Sequence, residues 1–265
     1  MKNLFSGFHN PDASELSDAW LSDETLIVFD TNTFINLYGY AIQTRSDFFS
    51  ILDKLQNSIW IPYHVALEYQ RNRLQAIKRE KAVFTQIDKL LGKIDKVFSD
   101  DFPDLALARR FPKLNENTEK FHKDVQKLVK NYRISVNHWD KQQPSVRTHD
   151  KIRAHINTFF DGRTGSPPKS QDEINEIHTK GKSRFELSIP PGYMDKDKEK
   201  EKEPKFTYGG ITYERQYGDL IIWQQIIEKA SEEKFKNVIF VTDDSKEDWW
   251  YILPKLPLPP IPTII

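Results

Sequence analysis

Carboxylate side chains follow two short apolar runs of the sequence at the point where each run ends. Asp30 comes directly after Leu26–Phe29, and Asp243 and Asp244 come after Val238–Val241 with one threonine between. Two adjacent acids after a buried strand repel each other unless a cation lies beside them. Oxygen-only ligands select hard cations such as Mg²⁺ and Mn²⁺. The pattern therefore predicts a carboxylate site for a divalent metal.

Two more acids lie where helices are expected to begin. Glu68 follows the apolar run Ile59–Ile61, and basic residues come shortly after it. Asp219 follows Gly218 at the start of an apolar helical segment, and we expect the glycine to free the turn. Asn32 lies two residues after Asp30 and can hydrogen-bond that carboxylate or a metal-bound water.

Each acid taken alone also has an ordinary structural explanation. Asp30 and Asp219 are residues that cap helices well. Glu68 can form a surface ion pair with Arg71, and a solvated turn can screen the adjacent aspartates. What makes the set specific is its convergence, because the carboxyl ends of parallel strands meet at one edge of a sheet.

The apolar runs predict the elements that bring the acids together. Continuous rather than alternating apolar residues are typical of parallel strands covered by helices on both faces. Helical periodicity fills the intervals, so we expect an α/β fold with a central parallel sheet. Residues 65–161 show no strand pattern and several amphipathic helices. We interpret the chain as a single domain, residues 1–265, with a helical insertion at about residues 69–180.

Three segments look irregular, and the first, residues 161–170, is a linker rich in glycine, proline and serine. Residues 195–205 alternate acids and bases, which predicts a solvated, mobile loop. The tail at residues 256–264 is rich in proline, which predicts polyproline II structure.

Composition excludes several classes of site. The 265 residues contain no cysteine, so disulfides, thiolate metal sites and cysteine nucleophiles are excluded. Lys+Arg and Asp+Glu number 39 each, which argues against a globally basic nucleic-acid binder. The seven histidines form no metal-ligand motif, and we expect them on the surface or satisfied in the core. No apolar segment is typical of a signal peptide or a membrane span, so we expect a soluble cytoplasmic protein.

Four segments together resemble the PIN-like nuclease domains, and most closely a bacterial PIN-like group with long helical insertions. The segments are LIVFDTNTFINLY, HVALEYQRN, YGDLIIWQQII and VIFVTDDSKEDWW, in this order along the chain. The loop IPPGYMDKDK is also similar to the one that precedes the third acid in this group. The resemblance implies a three-layer α/β/α PIN-like fold with four acidic positions. They fall on Asp30, Glu68, Asp219 and either Asp243 or Asp244, of which the commoner spacing favours Asp244, with Asn32 in support.

The resemblance implies a metal-dependent ribonuclease. One or two Mg²⁺ or Mn²⁺ ions held by the acids would activate water for in-line attack on RNA, leaving a 5′-phosphate. Arg71 and Arg73 are candidates for holding flanking phosphates, and Tyr208, Tyr213 and Tyr217 for stacking on single-stranded bases. Core packing explains the tyrosines at least as well. A solvated helix face explains the arginines at least as well. The insertion is a candidate surface for a protein partner, and proteins of this kind often act as toxins or in phage defence.

Two other functions fit part of the pattern. A haloacid-dehalogenase-like phosphatase also begins with an aspartate after a strand, and Asp244 and Asp248 have a suitable spacing. It needs a second acid where this chain has Asn32, which cannot act as acid or base. A catalytically inactive PIN-like binding module is the other alternative. All four acidic positions are filled in this chain, which argues against it.

Overall fold

The computed structural model describes Leu4, residues 11–251 and residues 261–262. Contacts divide the chain into two compact units. The sheet unit comprises residues 1–72 and 155–265, and the helical unit comprises residues 73–154. The tail predicted to be polyproline II lies outside the described residues, except Ile261–Pro262, which form a short strand.

The elements are listed here in chain order. The strands are β1 (Thr25–Phe29), β2 (Ile59–Trp60), β3 (Lys205–Tyr208), β4 (Ile211–Glu214), β5 (Asn237–Val241), β6 (Trp250–Tyr251) and β7 (Ile261–Pro262). The α-helices are α1 (Ala13–Leu21), α2 (Thr31–Asn36), α3 (Ile42–Lys54), α4 (Tyr63–Lys96), α5 (Phe102–Asp104), α6 (Leu107–Arg110), α7 (Pro112–Gln142), α8 (Lys151–Phe159), α9 (Gln171–Glu186) and α10 (Gly218–Ala230). A π-helix follows α4 at Val97–Asp101, and 3₁₀ helices span Tyr193–Lys200 and Arg215–Tyr217.

The three apolar runs form one parallel sheet in the order β2-β1-β5, which confirms the predicted α/β class. β1 is buried along its whole length, and its Ile27 pairs with Ile59 on one side and Ile239 on the other. The expectation that all three strands are covered on both faces is wrong for β5, since Val238 is 42% exposed. Two antiparallel ribbons, β3-β4 and β6-β7, complete the strands of the described residues.

The middle of the chain is helical, as its periodicity predicted. α4 runs for 34 residues and continues into the π-helix, and α7 runs for 31 residues. Pro112 lies in the first turn of α7, where the missing N–H removes no helical hydrogen bond, and Pro103 lies where the π-helix passes into α5. No helix of the described residues is long and apolar enough to cross a membrane.

The segment expected to be a solvated loop is partly folded. Residues 193–200 form a 3₁₀ helix, and Asp195 within it is buried. The interpretation of residues 195–205 as an irregular charged loop is therefore wrong at Asp195. The alternating charges mislead because one acid of the run points inward while its neighbours are exposed.

An aromatic cluster fixes the short helix α2 against the sheet. Phe34 of α2 is fully buried, with its ring centroid 5.9 Å from Phe29, 5.3 Å from Phe160 and 5.9 Å from Tyr69. Tilted and edge-on aromatic pairs at these distances add to the free energy of burial. Because α2 starts immediately after Asp30, this packing also sets the position of that carboxylate.

Replacing Phe34 with alanine should lower the free energy of unfolding by about 3–5 kcal/mol, since it empties a packed aromatic site. Phe111→Ala is the matched control, because Phe111 is exposed and its loss should cost about 0.5 kcal/mol or less. Urea unfolding of both variants measures the difference. Equal destabilisation by the two substitutions would contradict the packing described here.

Candidate functional site

Asp30 lies at the carboxyl end of β1, and its carboxylate accepts hydrogen bonds from three neutral donors. Its backbone N–H donates to the Val241 carbonyl at 2.9 Å, which ties it to the end of β5. One carboxylate oxygen accepts from the Thr31 N–H at 2.6 Å, as an N-cap of α2 does. The other accepts from Asn32 Nδ2 at 2.6 Å and from the Thr242 hydroxyl at 2.7 Å. The residue is thus both a helix cap and a buried carboxylate at the sheet edge.

Glu68 reaches the same place from α4. Its Oε2 accepts a hydrogen bond from the Thr31 hydroxyl at 3.0 Å, next to Asp30. Its Oε1 lies 3.6 Å from Nε2 of the buried His64. Burial lowers the pKa of His64, against the opposing effect of the Glu68 charge, so the imidazole is favoured in its neutral form. His64 Nδ1 has no hydrogen-bond partner among the described residues.

Asp219 enters from the first turn of α10. It does not cap the helix, because the N-cap residue is Tyr217. Its Oδ2 accepts from Trp249 Nε1 at 3.2 Å. Gly218 has a helical φ, so the expected freeing of a turn is wrong there. Its role is close approach, since a Cβ at Gly218 would lie 2.8 Å from Glu68 Oε1.

The two adjacent aspartates after β5 point to different partners. Asp243 is exposed, and its carboxylate accepts a hydrogen bond from Asn36, while its backbone N–H donates to Asn32 Oδ1. Asp244 is half-buried, and its charge acts on Asp30. The geometry thus favours Asp244 over Asp243 as the member of the acid cluster.

A lysine and a fifth acid, neither found by sequence reasoning, lie among the predicted residues. Lys246 Nζ is 3.0 Å from an oxygen of Asp195, 3.1 Å from Asp244 Oδ2 and 3.9 Å from Asp219 Oδ2. Asp195 also pairs with Lys198. Lys246 gives no signal in the sequence beyond its place two residues after Asp244. Asp195 was hidden in the alternating charges.

Burial raises the pKa values of two carboxylates of the site, and neighbouring negative charges raise them further. Burial raises the pKa of Asp30 to about 6. The charges of Glu68 and Asp244 raise this pKa further, while the hydrogen bonds from Thr242 and Thr31 lower it. Burial raises the pKa of Asp219 to about 8, and the charges of Asp195, Asp30 and Glu68 add to this effect. Burial lowers the pKa of Lys246, but the carboxylates of Asp219 and Asp195 raise it above its ordinary value.

The donor set fits a hard divalent cation in its chemistry. Carboxylate oxygens are the ligands that Mg²⁺ and Mn²⁺ prefer, and burial together with the neighbouring carboxylates raises the pKa of Asp30 and Asp219 when no cation is present. Among the described residues, no three acidic or histidine side chains are arranged closely enough to enclose an ion as they stand. The Lys246 ammonium lies where it contacts three of the carboxylates.

The predicted substrate-binding residues are placed differently from one another. Arg71 is exposed, and its guanidinium carbon lies 3.6 Å from the centroid of the Phe206 ring. Arg73 belongs to the helical unit and is largely buried in an ion pair with Asp150 at 3.3 Å, so its guanidinium is not offered to a substrate. Tyr213 and Tyr217 are buried core residues, whereas Tyr208 is exposed.

Comparison with protein-family models gives one match, to the family described as PIN like domain, over residues 26–262. The match spans all the acids described above. Comparison with curated proteins and with solved structures gave no match.

In the presence of a chelator, Asp219→Asn should stabilise the protein more at about pH 8 than at about pH 5. The pKa of Asp219 rises from 3.8 to about 8 on folding. The protonated side chain therefore contributes stability that is fully present below pH 3.8 and is lost as the pH rises through about 8. Asparagine removes this titration, and we expect a gain of about 1–3 kcal/mol at the higher pH. Thermal unfolding in EDTA at the two pH values measures it.

Asp243→Asn is the control for this experiment, since Asp243 is exposed and bonded outside the acid cluster. It should give no such pH-dependent gain. A gain for Asp219→Asn that is equal at both pH values, or larger at pH 5, would contradict the charge crowding.

Proposed function

The chain belongs to the PIN-like domain family, and from this premise we propose that it is an endoribonuclease that depends on Mg²⁺ or Mn²⁺. PIN-like domains are in general nucleases that use divalent metals. The RNA substrate, the identity of the metal and the residue roles are the parts that we propose.

One observation carries the proposal: four carboxylates from distant parts of the chain converge, with the ammonium of Lys246 among them. Asp30 and Glu68 both accept hydrogen bonds from Thr31, and Asp219 and Asp244 lie 3.9 and 3.1 Å from the same Lys246 ammonium. Such crowding destabilises a protein that has no use for it. A divalent cation offsets the repulsion, which explains why a fold would retain these crowded carboxylates.

The residues divide the work of binding and positioning. Asp30, Glu68, Asp219 and Asp244 would hold the metal, which when bound lowers the pKa of water and neutralises charge on the scissile phosphate. Asn32 and Thr242 orient the Asp30 carboxylate through the hydrogen bonds described above. Trp249 does the same for Asp219. Orienting donors of this kind set ligand geometry in metal sites.

Single-stranded RNA is the substrate class that we favour. Arg71 and Tyr208 are exposed on the sheet unit and offer a cation for phosphate and a ring for base stacking. A toxin or phage-defence role is a proposal that follows from the resemblance. A protein partner that binds through the insertion is a proposal that follows from the size of the insertion, and a cytoplasmic location is one that follows from the sequence.

The alternative of an inactive binding module has one observation in its favour. Lys246 already partly neutralises the acids, as a protein that binds no metal would require. The phosphatase alternative has no observation in its favour. Asn32 is hydrogen-bonded to Asp30 and to the backbone of Asp243, and Asp248 is fully buried.

Replacing any of the four acids with its amide should abolish metal-dependent cleavage of RNA while the protein stays folded. The variants are Asp30→Asn, Glu68→Gln, Asp219→Asn and Asp244→Asn. Loss of a ligand should exceed the roughly 10–100-fold that loss of an orienting partner costs. Cleavage of end-labelled single-stranded RNA in Mg²⁺, Mn²⁺ and EDTA measures it, and the products should carry a 5′-phosphate.

Asp243→Asn is the matched control, since it changes the neighbouring acid of the same turn. Asp243 is exposed and bonded to Asn36, so this variant should retain activity. Full activity of Asp219→Asn, or cleavage by the wild type in EDTA, would refute the proposed chemistry.

Replacing Lys246 with methionine should tighten the binding of Mn²⁺ by about tenfold or more, because it removes a positive charge within ion-pair distance of the acids. The same variant should melt at a lower temperature in EDTA and regain stability with metal. Isothermal titration calorimetry measures the affinity. Lys198→Met is the control, because Lys198 pairs with Asp195 alone of these acids. If Lys246→Met binds Mn²⁺ no more tightly than the wild type, the lysine does not compete with the metal.

A further inference from the structure

Charge is divided unequally between the two compact units. The helical unit, residues 73–154, contains 19 lysines and arginines and 11 aspartates and glutamates, a net charge of +8. The whole chain contains 39 of each kind, so the sheet unit carries 20 basic and 28 acidic residues, a net charge of −8. Charge asymmetry of this kind is typical of proteins that contact a nucleic acid or a membrane surface.

Two long helices of the helical unit form an antiparallel hairpin. Lys81 Nζ lies 3.0 Å from Asp140 Oδ1, and Arg133 Nε lies 2.9 Å from Asp88 Oδ1. Positions therefore advance along the carboxyl-terminal half of α4 as they recede along α7. Because Asp88 and Arg133 contact each other across the hairpin, they give a common reference for the directions of the other side chains.

Exposed lysines occupy one narrow arc of each helix. At 100° per residue, those of α4 lie about 80–100° around the helix from Asp88, and those of α7 lie about 60–120° from Arg133 in the same rotational sense. Because the helices are antiparallel, equal senses of rotation place both arcs on the same side of the hairpin. We name these seven residues the lysine face: Lys78, Lys89 and Lys96 of α4, and Lys123, Lys127, Lys130 and Lys141 of α7. Three more exposed lysines border it at about 140–160°, namely Lys93, Lys113 and Lys120.

Few acids offset the charge of the lysine face. Glu116 and Glu119 lie within or beside its arc on α7, and Asp124 lies among the bordering lysines. Within the part of the chain that the structure describes, Lys127 alone of the seven forms an ion pair, with Asp124 at 3.6 Å. A solvated helix surface usually alternates the two signs of charge. Seven positive charges beside two negative ones instead leave a repulsion that an anionic ligand would offset.

The layout of the lysine face favours an extended polyanion over a membrane. Its lysines on α7 follow one another from Lys123 to Lys141 over about 27 Å, as a line rather than a cluster. A helix that lies on a membrane buries its apolar residues in the lipid. The exposed apolar residues Leu128 and Trp139 lie about 100° or more around α7 from every lysine of the face. Inserting them would thus turn the lysines away from the lipid phosphates.

We propose that the lysine face binds the phosphate backbone of the single-stranded RNA substrate, without regard to its base sequence. The identity of the polyanion rests on the proposed function, whereas the binding itself requires neither metal nor cleavage. The net charge of the sheet unit repels RNA, so a separate basic surface supplies the attraction that the unit with the acids lacks. Lysines that neutralise phosphates release counterions, and the affinity therefore falls steeply with salt.

Fluorescence anisotropy of a labelled single-stranded RNA with the full chain in EDTA tests the proposal. The double variant Lys123→Gln/Lys130→Gln should bind about tenfold more weakly or worse at about 50 mM salt. The slope of log affinity against log salt should become shallower by about 1.4, which is about 0.7 for each lost phosphate contact. The pair Lys78→Gln/Lys89→Gln on α4 should have the same effect. Glutamine forms helices about as well as lysine, so both variants should keep the circular dichroism of the wild type.

Lys54→Gln/Lys234→Gln is the matched control, which removes the same charge from the sheet unit. Both lysines are exposed, and they precede the amino ends of β2 and β5, at the edge of the sheet opposite the acids. This variant should bind RNA as tightly as the wild type, with the same salt dependence.

Measuring binding and cleavage separately distinguishes this proposal from the proposed function. A wild type that binds RNA through the lysine face but does not cleave it in Mn²⁺ would refute the nuclease and support the lysine face. Cleavage by a wild type whose RNA affinity is unchanged in both lysine variants would overturn the lysine face alone. A control that weakens binding as much as the variants would also overturn it. So would tighter binding of phosphatidylserine vesicles, or of poly-L-glutamate as a stand-in for an acidic protein, than of RNA at equal charge.

Discussion

Repulsion among carboxylates at one edge of the sheet is the constraint on which the rest of the sheet unit depends. Burial raises the pKa of Asp30 and of Asp219, and the charges of the neighbouring carboxylates raise both further. The surrounding structure offsets the repulsion with hydrogen-bond donors and with the ammonium of Lys246. A divalent cation would complete what these groups do only in part.

The fold explains how the acids are held against this repulsion. The parallel pairing of β1 with β5 brings the ends of the two strands together, and the Asp30 N–H is bonded to the last carbonyl of β5. The aromatic packing of Phe34 fixes α2, and Gly218 lets α10 approach Glu68 closely. Core packing and the absence of one side chain thus maintain an arrangement that electrostatics alone would disperse.

Sequence reasoning found the elements with strong local signals. Continuous apolar runs predicted the three parallel strands, and acids directly after them predicted the residues that converge. It missed Asp195 because burial of one acid in an alternating charge run depends on tertiary contacts, in this case with Lys246. It offered Arg73 as a candidate for holding a phosphate or as part of a solvated helix face, because a sequence does not reveal the long-range ion pair with Asp150.

The central claim, that the converging acids form a cation site, is tested most directly by a crystal of the full chain soaked in Mn²⁺. The account predicts an anomalous peak about 2.1 Å from carboxylate oxygens of Asp30 and Asp219, with the Lys246 ammonium displaced from Asp219. No peak at saturating Mn²⁺, with Lys246 still lying between Asp195 and Asp244, would contradict it.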